Sequence, residues 1–348
     1  MRLRVKPGRC VRRWFKGSNC NLCETSCPAG AVSVKGRDVE VKEDLCVLCG
    51  ACASVCPVSV FDLGVDDLIY SLPEGESIKV TCRASGGGYL SLCINSLNLN
   101  HYIILASKFK DVVVDGRCDG CKIKGVGLVE ALKAESLLAG RVKVLKGSAE
   151  EPPRLVVRET LRSMIARGLL VGLSFSAPAI AWSLEKVAGR VIVEDLGRPE
   201  RGSSTLKVKA WEAASKLGLK VNTVYPEVDY DKCIFCGVCS GVCPVGAIYY
   251  NPAGILKIDT RACVSCNICV NMCPEKAMTM SEGASGPILE YVKSMVECPK
   301  CGFTYPATLK ECPQCSVIDE IVRDVYKGSS KECKEYAKRI IDKLRDNV

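Results

Sequence analysis

The placement of cysteine constrains this chain more than any other feature. Cys233, Cys236, Cys239 and Cys243 are followed by Pro244, and Cys263, Cys266, Cys269 and Cys273 by Pro274. This is a C-x2-C-x2-C-x3-C-P run written twice. Two intervening residues let successive thiolates curl around one face of a cubane iron–sulfur core. The proline after the fourth cysteine cannot continue a helix and turns the chain. The competing reading is a pair of zinc sites built from C-x2-C pairs, but zinc knuckles need neither the third cysteine nor the x3-C-P ending.

The chain contains this pattern a second time. Cys236, Cys239 and Cys243 match Cys20, Cys23 and Cys27 at an offset of 216, and Pro244, Gly246 and Ala247 match Pro28, Gly30 and Ala31 at the same offset. The run from Cys263 to Pro274 matches Cys46, Cys49, Cys52, Cys56 and Pro57 at 217. Both segments resemble the bacterial-type two-[4Fe-4S] ferredoxins, whose cluster pairs sit in a small pseudo-two-fold fold of short strands and helices. In that family the fourth cysteine of each run ligates the other cluster. The resemblance implies one cluster on Cys233, Cys236, Cys239 and Cys273, and another on Cys263, Cys266, Cys269 and Cys243. In the N-terminal copy it implies a cluster on Cys46, Cys49, Cys52 and Cys27.

The remaining N-terminal cluster is one ligand short, because Gly17 stands at the position of Cys233. Cys10, seven residues upstream, is the expected replacement, joining Cys20, Cys23 and Cys56. A three-iron cluster or a non-cysteine ligand are the alternatives. The alternating stretches Ala31–Val34 and Asp38–Lys42, and again Ala247–Tyr250 and Ile255–Ile258, predict a hairpin in each copy.

Composition narrows the class. Twenty-five cysteines in 348 residues, grouped as C-x2-C, read as metal binding in a reducing compartment, so a cytoplasmic location is expected. The basic residues of Met1–Pro7 have no apolar run behind them, so no secretory signal is expected. A single histidine, His101, excludes Rieske ligation, and no C-x-x-C-H haem site occurs. His101 is expected to be structural. The formal charge of +9 would suit nucleic acid. Four oxidised cubanes with their thiolates add about −8, however, so the basic excess reads as a counterweight to the clusters and no nucleic-acid partner is expected.

Between the two copies, strands are predicted at Ser77–Cys82, Asp111–Asp115 and Arg141–Leu145, with helices over Leu90–Phe109 and Gly127–Ala139. Strands alternating with helices suggest a parallel α/β unit. Cys82 and the pair Cys118/Cys121 follow strands and can converge on one sheet edge, joined by Cys93. They are candidates for a fifth iron–sulfur cluster or a second zinc, with a redox dithiol at Cys118–Cys121 or inert thiols as alternatives. The Gly86–Gly88 run lacks a following Walker lysine and reads as a turn. Leu169–Leu184 is apolar but shorter than a membrane span, so a buried segment or subunit contact is expected. A helix is predicted over Trp211–Leu217, then a strand over Val221–Val224. Cys298, Cys301, Cys312 and Cys315 form two C-x2-C knuckles. They resemble a zinc ribbon, and rubredoxins share the knuckles with a much longer insertion. Apolar residues at helical spacing follow it, from Val317 to Tyr326 and from Cys333 to Leu344.

The expected architecture is therefore an α+β multidomain chain. It comprises a 2[4Fe-4S] ferredoxin-like module over residues 1–70, an α/β domain over 77–147, and a linker and helical/β region over 148–226. A second 2[4Fe-4S] module covers 227–283, a zinc-ribbon-like knuckle 295–317, and C-terminal helices 318–348. As a whole it resembles the multi-cluster ferredoxin subunits of anaerobic oxidoreductase complexes. That resemblance implies an electron-relay role, with a catalytic subunit and an electron donor or acceptor protein as partners. The alternative is an enzyme reducing a disulfide or sulfur compound at Cys82, Cys93, Cys118 and Cys121.

Overall fold

The structure, a computed structural model, describes residues 2–82, 90–116, 118, 121, 123, 125–145, 191–194, 201–202, 204–284, 286 and 288–316. The chain divides into two compact units, Met1–Val221 and Asn222–Val348. The Gly86–Gly88 turn, the apolar stretch Leu169–Leu184 and the helices expected over 318–348 lie outside the described residues. Among the described residues no helix is long and apolar enough to cross a membrane.

The first unit opens with strand β1 (Leu3–Val5), a 3-10 turn at Pro7–Arg9 and the short helix α1 (Val11–Trp14). Helix α2 (Leu22–Thr25) follows, then the hairpin of β2 (Val32–Lys35) and β3 (Asp38–Val41), helix α3 (Ala51–Val55), strand β4 (Phe61–Asp62) and helix α4 (Val65–Ser71). Hairpin pairing runs Val32↔Val41 to Lys35↔Asp38, turning at Gly36 with φ +59°. Two arginines of α1 clamp it to this hairpin. Arg12 Nε donates to Gly36 O at 2.8 Å, and an Arg13 guanidinium NH₂ meets Asp38 at 2.7 Å.

Downstream, four parallel strands form one sheet in the order β6-β5-β7-β8: β5 (Gly75–Thr81), β6 (Leu90–Ser91), β7 (Phe109–Asp115) and β8 (Val142–Leu145). Helices α5 (Leu99–Lys108) and α6 (Val126–Leu137) link them. The apolar strand residues Ile78, Val80, Val112, Val114, Val142 and Val144 are buried together with Ile103, Ile104 and Leu105 of α5 and Ala131 and Ala134 of α6. This is the pattern expected of parallel strands covered by helices. Strand β9 (Val191–Val193) pairs in parallel with β1, whose other edge holds β4, and helix α7 (Thr205–Lys216) packs on α5.

Two local expectations change. Leu90–Phe109 is not one helix: Leu90–Ser91 joins the sheet, Ile94–Ser96 is a 3-10 turn, and α5 begins only at Leu99. Asn98 sets that start. Its side chain accepts from the N–H groups of Asn100 and His101, while its own N–H donates to His101 Nδ1 at 3.1 Å. Because Nδ1 accepts, the ring proton sits on Nε2, which donates to Asp66 at 2.9 Å. The lone histidine is thus a buried helix cap tied to α4. His101→Ala is expected to cost about 1–3 kcal/mol in thermal unfolding while leaving bound iron unchanged; iron loss at unchanged stability would contradict this role. The second change is at Trp211–Leu217, where the helix is longer and starts at Thr205.

The second unit begins with β10 (Asn222–Val228), followed by α8 (Val238–Gly241), the hairpin β11 (Ile248–Asn251) and β12 (Ile255–Asp259), and α9 (Ile268–Asn271). Strand β13 (Met278–Ala284) returns antiparallel to β10 over seven residue pairs. Strand β14 (Ile288–Val292) then adds a third strand to the hairpin, in the order β11-β12-β14. A last hairpin joins β15 (Met295–Glu297) to β16 (Thr304–Pro306).

Candidate metal centres

Each of the four cysteine runs ends in the same five-residue turn. The residue three past the fourth cysteine is left-handed in every copy: Gly30 (φ 61°), Ser59 (55°), Gly246 (68°) and Lys276 (50°). Its N–H returns to the carbonyl of that cysteine at 3.2, 3.5, 3.3 and 3.3 Å respectively. The next N–H then donates to the sulfur: Ala31 to Cys27 at 3.3 Å, Val60 to Cys56 at 3.4 Å, Ala247 to Cys243 at 3.2 Å and Ala277 to Cys273 at 3.3 Å. Glycine enters the left-handed region freely, whereas Ser59 and Lys276 hold it at a cost on the order of 1 kcal/mol. The return is an amide donor aimed at a thiolate, which stabilises negative charge there.

The middle of each run has its own signature. Left-handed residues flank the second cysteine in three runs: Leu48 and Gly50 around Cys49, Phe235 and Gly237 around Cys236, Ser265 and Asn267 around Cys266. The first N-terminal run departs from this, since Asn21 after Cys20 has φ −137°. This is the run in which Gly17 replaces a cysteine. A Cβ at Gly17 would lie 2.7 Å from the Phe15 ring, which would have to swing aside to admit a side chain.

The four-cysteine groups converge in space. Cys233, Cys236, Cys239 and Cys273 line one small apolar pocket with Phe235, Tyr250, Leu256 and Met278. Cys243, Cys263, Cys266 and Cys269 line another with Ile248, Ile258 and Met280. Cys10, Cys20, Cys23 and Cys56 share a third with Val11, Val39 and Phe61. Cys27, Cys46, Cys49 and Cys52 lie close enough that their charges act on one another. Burial pushes the thiols of Cys23, Cys239 and Cys269 up to about 12 and that of Cys56 to about 11. Bare thiolates are therefore unstable here without a compensating cation. Four thiols around an apolar space fit the donor set and the dry surroundings of a cubane.

Spacing separates these groups from the C-terminal one. Among the described residues, Cys298, Cys301, Cys312 and Cys315 are the one such group whose ligand atoms all lie within 4.8 Å of one another. Their Sγ–Sγ contacts are 3.8, 3.7 and 3.5 Å. A tetrahedron of thiolates around one ion at roughly 2.3 Å has edges of about 3.8 Å, so this quartet fits a single ion. Hydrogen bonding from the Lys300 backbone, working against burial, draws the Cys298 thiol down to about 7.

One side chain beside the Cys233 group lies outside every motif. Lys293 is 7% exposed, donates from Nζ to Cys233 O at 2.9 Å, and lies over the Tyr230 ring at 4.5 Å. The turn at Gly254 makes room for it: a Cβ there would collide with Lys293 O. A buried ammonium favours the more negative, reduced state of any cluster on Cys233. Lys293→Met is therefore expected to lower one reduction potential in an EPR-monitored redox titration, with all couples unmoved as the contrary result. No spacing rule marks this lysine in the sequence, because it reaches the site through β14 pairing.

The comparisons agree with the duplicated pattern. Residues 226–280 match the 4Fe-4S dicluster domain family, and residues 16–60 match a second family of the same description. Over 44 residues the chain is 41% identical to a subunit of the ion-translocating oxidoreductase complex of Methanosarcina acetivorans. That stretch covers 13% of this chain and 17% of the relative, so the chain spans under a fifth of the relative's length. The chain is an iron–sulfur protein with two ferredoxin-type dicluster domains.

Proposed function

We propose that this iron–sulfur protein is the electron-relay subunit of a multi-subunit oxidoreductase, passing single electrons through four [4Fe-4S] clusters. The observation that carries the reading is the fourfold recurrence of one cysteine–proline turn with an amide aimed at sulfur. The ligands would be Cys10, Cys20, Cys23 and Cys56; Cys27, Cys46, Cys49 and Cys52; Cys233, Cys236, Cys239 and Cys273; and Cys243, Cys263, Cys266 and Cys269. Each cubane, when bound, supplies a one-electron couple. The protein's own part is to fix the thiolates, exclude water with the apolar cavity walls, and set potentials through N–H···S bonds and the Lys293 ammonium.

The name of the Methanosarcina relative supports placement in an oxidoreductase complex, with a catalytic subunit and an electron donor or acceptor protein as partners. Cys298, Cys301, Cys312 and Cys315 would hold one structural zinc. Anaerobic purification with metal and sulfide analysis tests the whole assignment. About sixteen iron and about one zinc per chain are expected from this ligand set. Eight iron or fewer would remove the N-terminal module from the relay.

A further inference from the structure

Among the described residues, four cysteines remain outside these assignments, and the fold gathers them. Cys82 follows β5 directly, Cys93 follows β6, and Cys118 follows β7. These three strands are adjacent and parallel, so all three cysteines lie at one sheet edge, the edge where α/β sheets bind ligands. Cys121 is drawn to Cys118 by a backbone hydrogen bond, its N–H donating to Cys118 O at 3.0 Å. Cys93 is close enough to Cys49, Cys82 and Cys118 to feel the charge of each.

The turn bearing Cys93 is held from two sides. Asn95 donates to Ile123 O at 2.7 Å and accepts from Gly127 N–H at 3.1 Å. A Cβ on Gly127 would collide with Ile94 O, so this turn sits flush against the start of α6. On the other side a Cβ on Gly50, which has φ +81°, would collide with that of Ser96. Asn98 Nδ2 also donates to Ser54 O at 2.9 Å. The Cys49 loop of the N-terminal module is therefore packed directly on the Cys93 turn.

Two further observations bear on the group. Among the described residues, its ligand atoms do not all lie within 4.8 Å of one another, so it does not match the single-ion spacing of the Cys298 quartet. Tyr102, fully buried, has a hydroxyl with no hydrogen-bond partner among the described residues, and the charges that act on it are those of Glu130 first, then Cys118 and Cys93. An unpaired buried donor costs about 1–3 kcal/mol. Sulfur atoms of a cluster bound by Cys93 and Cys118 would offer the Tyr102 hydroxyl an acceptor.

We propose that Cys82, Cys93, Cys118 and Cys121 hold a fifth iron–sulfur cluster, seated against the Cys49 side of the N-terminal module and hydrogen-bonded by the Tyr102 hydroxyl. The proposal rests on the N-terminal module itself carrying clusters. The two neighbouring centres exchange single electrons, one being oxidised as the other is reduced, so no additional reactant enters. The site is thereby a point on the α/β domain where electrons join or leave the relay.

The test uses the full chain, purified anaerobically, as Cys118→Ser, Cys82→Ser and Tyr102→Phe variants. Each cysteine variant is expected to lose about two to four iron, depending on cluster type, with zinc unchanged. Reduced protein should also lose the EPR broadening that arises from two adjacent paramagnets. Tyr102→Phe should keep its iron yet move one potential downward, a shift that a purely structural tyrosine would not produce. Unchanged iron in both cysteine variants overturns the proposal, as does loss of zinc in place of iron. Disulfide turnover by the reduced chain alone, with iron unchanged, would assign the group to substrate chemistry instead. Failure of the underlying reading looks different: eight iron or fewer in the unsubstituted chain removes the neighbouring cluster, and with it the proposed pair.

Discussion

Cys10→Ser is expected to remove or degrade one of the two N-terminal clusters, lowering bound iron by about one to four atoms per chain. The lower figure corresponds to a three-iron core held by Cys20, Cys23 and Cys56. The argument is geometric. Cys10 is 8% exposed and lines the cavity shared with those three cysteines. Its approach is fixed by the Cys10 N–H bond to Pro7 O at 3.0 Å. Backbone amides of Arg12 and Arg13 hydrogen-bond to it, opposing a rise caused mainly by burial. Arg12 in turn donates to Cys20 O at 3.0 Å, which ties the displaced ligand to the loop it completes. Cys10→Ala serves as the control against a ligating serine. Iron and EPR spectra unchanged in both variants would show that another group completes the site.

The second large effect concerns the C-terminal quartet. Cys312→Ser is expected to release the single ion proposed to be zinc and leave the β15–β16 hairpin unfolded, with the iron content of the chain unchanged. Over residues 295–316 the buried apolar side chains are little more than Cys298 and Cys312 themselves, so the hairpin has no core to fall back on. Structural zinc contributes about 10–16 kcal/mol in small zinc-finger peptides, far more than two three-residue strands supply. Limited proteolysis within 295–316 together with metal analysis reads the outcome. Loss of one iron in place of zinc would identify the ion as iron, and an intact hairpin would show that the strands hold without any metal.

Much of the candidate site was legible in advance because metal ligation is a local demand. Cysteine spacing is dictated by the size of the core, so the runs at 233–273 and the offset that exposed Gly17 could be read from residue order alone. The matched family segment begins at residue 16. Cys10 therefore stands outside it, and the shared cavity brings it in. The hairpins were legible through alternation. The stretch from Leu90 to Phe109 was not, because it is apolar throughout, and the signal that starts α5 is an asparagine paired with a histidine rather than the common Ser/Thr–Glu box. Lys293 and the β10–β13 pairing were invisible for a different reason: both depend on contacts between residues far apart in the chain, which no local pattern encodes.

The cysteine–proline turn closes within five residues, and this has a consequence for how the four proposed ferredoxin centres would differ from one another. Its hydrogen bonds come with the motif, so all four would inherit that one contribution. A downhill slope between them would then be written outside the turn, by features such as the departing backbone after Cys20 and the Lys293 side chain. Sequence drift outside the motifs can steepen, flatten or reverse that slope while every ligand stays in place. A chain of this design can be refitted to a new donor by changing its scenery and leaving its wiring alone.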